Sequence, residues 1–147
     1  MVGGCGDDDG DATTTSAAPS TSTVALADWR DVVDAGCKDW NERFAHLEGA
    51  EPSTPEEALR HTAEVHELAT GLAEVLAEAG VPDDERDDAR RLVELTGDVQ
   101  DAAGDLAASA AAGDGGGIDD ATERIEDLGE QINPLAEGLG VPACGGY

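Results

Sequence analysis

The sequence predicts an all-α protein, an up-down-up-down four-helix bundle. Three observations lead there. Apolar residues recur every three or four positions in four separate stretches, the period of one helix face. Aromatic residues are 3% of the chain, and Val, Ile and Thr form no alternating runs, so the period-two pattern of strands is missing. The connections Gly49–Thr54, Gly80–Pro82 and Gly113–Gly117 are short, which makes successive helices antiparallel neighbours. The repeated 3-4 spacing suits left-handed packing at ~20°.

The first helix is expected over 25–48. Leu26, Trp29, Val33, Cys37, Trp40, Phe44 and Leu47 lay one apolar stripe along it and include three of the four aromatic residues. Gly49 is the stop. The second is expected over 55–79, where Thr54-Pro55-Glu56-Glu57 is a capping box with Pro at the first helical position. Its stripe is Ala58, Thr62, Val65, Ala69, Leu72, Leu76 and Ala79, widened by Leu68 and Val75, and Gly80 ends it. The third is expected over 83–112, with Asp83, Asp84 and Glu85 at the positive end of the helix dipole. Ala89, Leu92, Thr96, Val99, Ala103, Leu106 and Ala110 face inward. The fourth is expected over 118–139, with Ile118, Ala121, Ile125, Leu128, Ile132, Leu135 and Leu139 in 3-4 alternation. Pro134 lacks the donor for the carbonyl four residues back, so a kink or restart is expected there, with Asn133 capping a short final helix. Helices two to four rely on Ala, which predicts a thin core.

The 147 residues carry 34 acids against 8 bases, a net charge of −26. Nucleic acid is excluded as a partner, because phosphate binding needs clustered Lys and Arg. An anionic membrane surface would repel the domain itself. Five bases sit four residues after an acid, Asp34–Lys38, Asp39–Arg43, Glu56–Arg60, Asp87–Arg91 and Asp120–Arg124. That order stabilises a helix surface by ~0.2–0.5 kcal/mol per pair. No run approaches the ~20 apolar residues of a membrane span. The acidity fits either a salt-adapted or a GC-rich host.

At the N-terminus, Val2, Gly3, Gly4 and Cys5 match in order the branched apolar residue, two small residues and cysteine of a bacterial lipobox. The acidic run Asp7–Asp11 and the Thr, Ser, Ala and Pro residues of 12–23 follow as a polar tether. Together they resemble small exported helical lipoproteins of high-GC Gram-positive bacteria. The resemblance implies lipidation at Cys5 and anchorage to the outer face of the cell membrane. Two acyl chains at ~0.8 kcal/mol per buried CH₂ hold a protein stably. Four residues before Cys5 are too few for a signal peptide, so the expectation is a start codon assigned late or a trimmed chain. The alternative is a cytosolic helical protein starting at Met1. The expected division is 1–24 as lipobox remnant and disordered tether, and 25–147 as bundle with a C-terminal tail.

With Cys5 assigned to lipid, an exported protein is expected to pair its other two cysteines, Cys37 and Cys144. Cys37 lies ~18 Å along the first helix at 1.5 Å per residue. Cys144 is five residues past Leu139, a reach of ~17 Å, so the tail from Gly140 has to fold back along the first helix. The apolar, Gly-punctuated tail also resembles the C-termini of small secreted helical proteins from the same bacteria. The alternative is a buried free thiol at Cys37.

The sequence offers little for catalysis. His61 and His66 are five apart and point to different helix faces. His66-Glu67-Leu68-Ala69-Thr70 lacks the second His of a zinc protease, and no Glu-x-x-His pair exists for a di-iron centre. Glu42–His46 and Glu57–His61 read as surface pairs. Placing Gly10 sixth in a calcium loop puts Cys5 first and Ser16 twelfth, both wrong for an EF-hand. Gly113–Gly117 has no following Lys-Ser or Lys-Thr and reads as a flexible hairpin. The expectation is a non-enzymatic chain without metal or cofactor, a membrane-anchored scaffold or interaction module with an envelope protein as possible partner. The alternative is a small-ligand or cation-binding module, with Trp29, Trp40 and Phe44 lining a gap between helices rather than filling the core.

Overall fold

A computed structural model describes residues 24–49 and 52–146. Four helices follow in order, α1 Leu26–Glu48, α2 Pro55–Ala79, α3 Arg86–Ala112 and α4 Gly115–Leu139, then a short 3-10 turn at Pro142–Cys144. No strand occurs among the described residues. Consecutive helices pack side by side, α1 on α2, α2 on α3 and α3 on α4, in the up-down order. The lipobox Val2–Cys5, the segment to residue 23, and Tyr147 lie outside the described residues.

Local chemistry sets the helix ends. Thr54 caps α2 by accepting from the Glu57 amide at 3.2 Å, and the Glu57 carboxylate reaches back to the Ser53 amide at 2.8 Å. Glu57 is thereby used at the cap. The third helix starts at Arg86, later than the acidic run suggests, because Glu85 sits in the left-handed region at φ 59° and cannot extend the helix backward. The fourth starts earlier than periodicity suggests. Asp114 accepts from the Gly117 amide at 3.2 Å, and this cap turns the expected hairpin glycines 115–117 into the first turn of α4. A side chain at Gly117 would collide with Ser109, so the tight α3–α4 hairpin needs glycine there.

The expected restart at Pro134 does not occur; α4 runs unbroken to Leu139 with Pro134 inside it. The fixed φ of Pro is already helical, so the cost is one lost hydrogen bond and local crowding. Glu130, whose carbonyl loses its donor, is exposed to water. Beyond it Ile132, Ala136 and Leu139 are fully buried, and large apolar side chains contribute ~1.5–3 kcal/mol each on burial. That outweighs the break.

The seam between α1 and α4 is closed by a different device. The chain after α4 turns back and packs on both helices. Gly140, left-handed at φ 75°, donates to the Glu137 carbonyl and Val141 donates to that of Ala136, the paired bonds of a Schellman ending. Val141 is fully buried. Arg30 of α1 donates from Nε to the Leu139 carbonyl and pairs with Glu85 at 3.2 Å, tying three elements at one end. Further along, Cys37 and Cys144 form a disulfide with Cα atoms 5.0 Å apart.

Burial is graded along the bundle. Near the start of α1, the α2–α3 turn and the end of α4, large side chains are fully enclosed: Trp29, Val33, Leu76, Leu92, Leu95, Ile132 and Leu139. The Trp29 indole also donates to the Gly80 carbonyl at 3.0 Å. Toward the opposite end the stripes continue, yet Phe44, Leu47, Val65, Leu106, Ile118 and Ile125 are only half-buried. What is enclosed there is small, such as Ala102, Ala103 and Ala121.

The surface ion pairs are partly rearranged. Lys38–Asp34 and Arg43–Asp39 form at 2.6 and 3.7 Å. Arg91 pairs instead with Glu94, Asp87 with Arg90, and Arg124 crosses to Asp105 on α3.

The disulfide spans 107 positions, and closing so long a loop constrains the unfolded chain by ~4–5 kcal/mol in the chain-entropy model. A Cys37→Ala/Cys144→Ala variant should lose about 2–4 kcal/mol in urea unfolding. Reductant should destabilise the parent and leave the variant unchanged.

Candidate functional site

Residues 141–146 of the tail fill part of the α1–α4 seam. Beside Gly146, on the loosely buried side, the described residues enclose a partly open cavity of about 530 Å³. Its volume falls in the ~300–1,000 Å³ range of small-molecule sites. Every helix contributes a wall. Trp40 and Phe44 come from α1, Val65 and Ala69 from α2, Val99, Ala103 and Leu106 from α3, and Ile125 from α4. The polar lining is sparse: Asn41, His61, Thr122 and Glu126, with the Gly146 backbone at the tail end.

The cavity follows from the residues that surround it. Trp40 and Phe44, one turn apart, stack with ring centroids 4.8 Å apart and planes within 8°. The pair acts as one rigid wall on α1. The facing positions on α2 and α3 are Ala69 and Ala103, too short to reach it. The tail seals the seam lower down and reaches the cavity edge at Gly146. Among the described residues, large side chains on one side and small ones opposite leave a void.

The tail is held at the cavity edge by directional bonds. Asn41, itself a lining residue, donates to the Ala143 carbonyl at 2.7 Å. The Ala143 amide donates to Asp34 at 3.3 Å. Gly145 packs against the Asn133 backbone. Asn133, expected as a helix cap, instead lies within α4 with its Oδ1 buried and without a hydrogen-bond partner among the described residues. Asp34 also accepts from Lys38 at 2.6 Å. That bond first, and the Ala143 amide with it, hold the Asp34 carboxyl below the ordinary carboxylate range against the opposing effect of burial.

Of the three aromatic residues expected either to fill the core or to line a gap, the structure divides them. Trp29 fills the tight end, fully enclosed. Trp40 and Phe44 line the cavity. His61 and His66 are separated as their spacing implies. His61 lines the cavity, whereas a side chain at Gly104 of α3 would meet the His66 imidazole. Among the described residues no three His, Cys, Asp or Glu side chains gather as a metal site, and no helix is long and apolar enough to cross a membrane. Asn41, Thr122 and Glu126 escaped sequence reading. They sit off the apolar stripes, and only the open seam brings them to the site. The chain matches no protein-family model, no curated protein and no solved structure.

A depressed carboxyl stabilises the fold above its unfolded value, ~3.9 for Asp, and that contribution disappears as pH falls through the lower folded value. Asp34→Asn should therefore be less stable than the parent by about 0.5–1 kcal/mol at pH 7. The difference should vanish toward pH 2 in urea unfolding series. A constant difference across that range would mean that the Asp34 charge does not help hold the tail.

Proposed function

We propose that this protein is a lipoprotein of the bacterial cell envelope whose helical bundle binds a small ligand with an apolar body. The cavity carries the binding half of the reading. A bundle that only had to fold would close its stripes over one another, yet one end keeps Phe44, Val65, Leu106 and Ile125 half-buried around an open volume. Leaving such surface wet forfeits ~25 cal/mol per Å², which a bound apolar molecule recovers. A purely scaffolding role has less support. Among the described residues, the exposed large hydrophobic side chains Val32 and Leu59 stand singly, on different helices, and form no docking patch.

The anchoring half rests on Val2-Gly3-Gly4-Cys5 and the polar stretch after it. Cys5 carries the diacylglycerol, and the segment to Val24 spaces the bundle from the outer face of the membrane. The Cys37–Cys144 bond suits an oxidising compartment. Contact with the bilayer comes through lipid alone, because a chain with a net charge of −26 is repelled by anionic headgroups.

Two measurements test the halves separately. Cells expressing the full upstream reading frame should incorporate an alkyne fatty acid into the protein, and Cys5→Ser should abolish the label. Normal expression without label rejects the anchor and favours a cytosolic chain from Met1. In vitro, the neutral apolar dye N-phenyl-1-naphthylamine should bind with a change in Trp40 fluorescence. Ala45→Phe, at an exposed lining position, should block it.

A further inference from the structure

We infer that the cavity selects a cationic amphiphile, an apolar chain with a positively charged head, and that Glu126 is the counter-charge for that head. The inference rests on the ligand-binding reading above and concerns what the cavity accepts.

The cavity has two chemically distinct parts. Its walls, from the Trp40–Phe44 pair across Val65, Ala69, Val99 and Ala103 to Ile125, offer no charge. Among its described lining residues Glu126 is the one carboxylate, and it lies on the exposed face of α4 at the opening. None of the eight Lys and Arg residues belongs to that lining. The bases on neighbouring turns are engaged elsewhere, Arg43 with Asp39 and Arg124 with Asp105. No basic side chain among the described residues lies within ion-pair distance of Glu126. A carboxylate left without a cation at the mouth of an apolar volume is a site for one carried by the ligand. The wider field acts in the same direction. A chain at −26 raises the local concentration of cations and repels anions. Fatty acids and anionic phospholipids therefore meet an electrostatic barrier that a cationic head does not. One such exposed pair discriminates by up to about fivefold, and the field of the whole chain adds to it.

The test uses the full chain and three probes with the same dodecyl tail, below their micelle concentrations. They are dodecyltrimethylammonium, dodecyl maltoside and dodecyl sulfate. Binding is read from Trp40 fluorescence and by calorimetry, with Glu126→Gln and Ala45→Phe beside the parent. Both substituted side chains are exposed, so neither change disturbs the core. The expected result is that the ammonium probe binds about fivefold or more tightly than the maltoside, and that the sulfate binds weakest. Glu126→Gln should bring the ammonium and maltoside probes within about twofold of each other, and Ala45→Phe should abolish binding of both. Equal affinity for ammonium and maltoside, both blocked by Ala45→Phe, overturns the charge selection and leaves the cavity reading intact. Ammonium binding that survives Ala45→Phe and Glu126→Gln is adsorption to the acidic surface and overturns the inference. Failure of every probe overturns the ligand-binding reading itself.

Discussion

The fold depends on how α1 is attached. Three of the four helices are joined by direct packing of α2, α3 and α4, each on the next. The first helix has a broad helical neighbour on one side alone, α2. Its other side, with Val33, Asp34, Cys37 and Asn41, is covered by residues 141–146 of the tail. The tail acts as a fifth element, too short to be stable alone and fixed by a covalent bond, a Schellman turn and side-chain hydrogen bonds together. Arg30 adds a second fastening at the base through the Leu139 carbonyl, where a cation also meets the negative end of the α4 dipole.

This attachment also positions the cavity. A fourth seam packed helix to helix along its length would have had Phe44 and Ile125 close upon each other. Residues 141–146 fill it at one end, where the seam is tight, and among the described residues it stands open beside Gly146. The gradient in burial, large residues enclosed at one end and small ones at the other, follows the same division. Stability and the candidate site thus occupy opposite ends of the molecule. Side chains at the open end can be changed with little cost to the core around Trp29 and Leu76.

Much of the fold was legible because helices write their period into the sequence. The stripes on α1 and α2, the Thr54 cap and the Gly80 stop lie where the pattern places them. The pairing of Cys37 with Cys144 was legible from cysteine count and chain reach. The misread boundaries share a cause. Asp83–Glu85 and Gly115–Gly117 were judged by composition, whereas the outcome hung on one backbone angle at Glu85 and one hydrogen bond at Asp114. Pro134 was judged locally, although burial of Ile132 and Leu139 on either side decides its fate. The cavity could not be read at all. The stripe through Phe44 and Val65 looks the same whether a neighbour closes over it or not.

The bond between Cys37 and Cys144 makes a covalent ring of the intervening chain, and all three interhelical connections lie inside it. Such connections are where proteases cut folded chains. A single cut in any of them leaves both pieces linked through sulfur, and the buried interfaces still hold them in register. The protein therefore survives nicking as one molecule with its cavity walls in place. Its release into fragments takes two cuts, or one cut together with reduction.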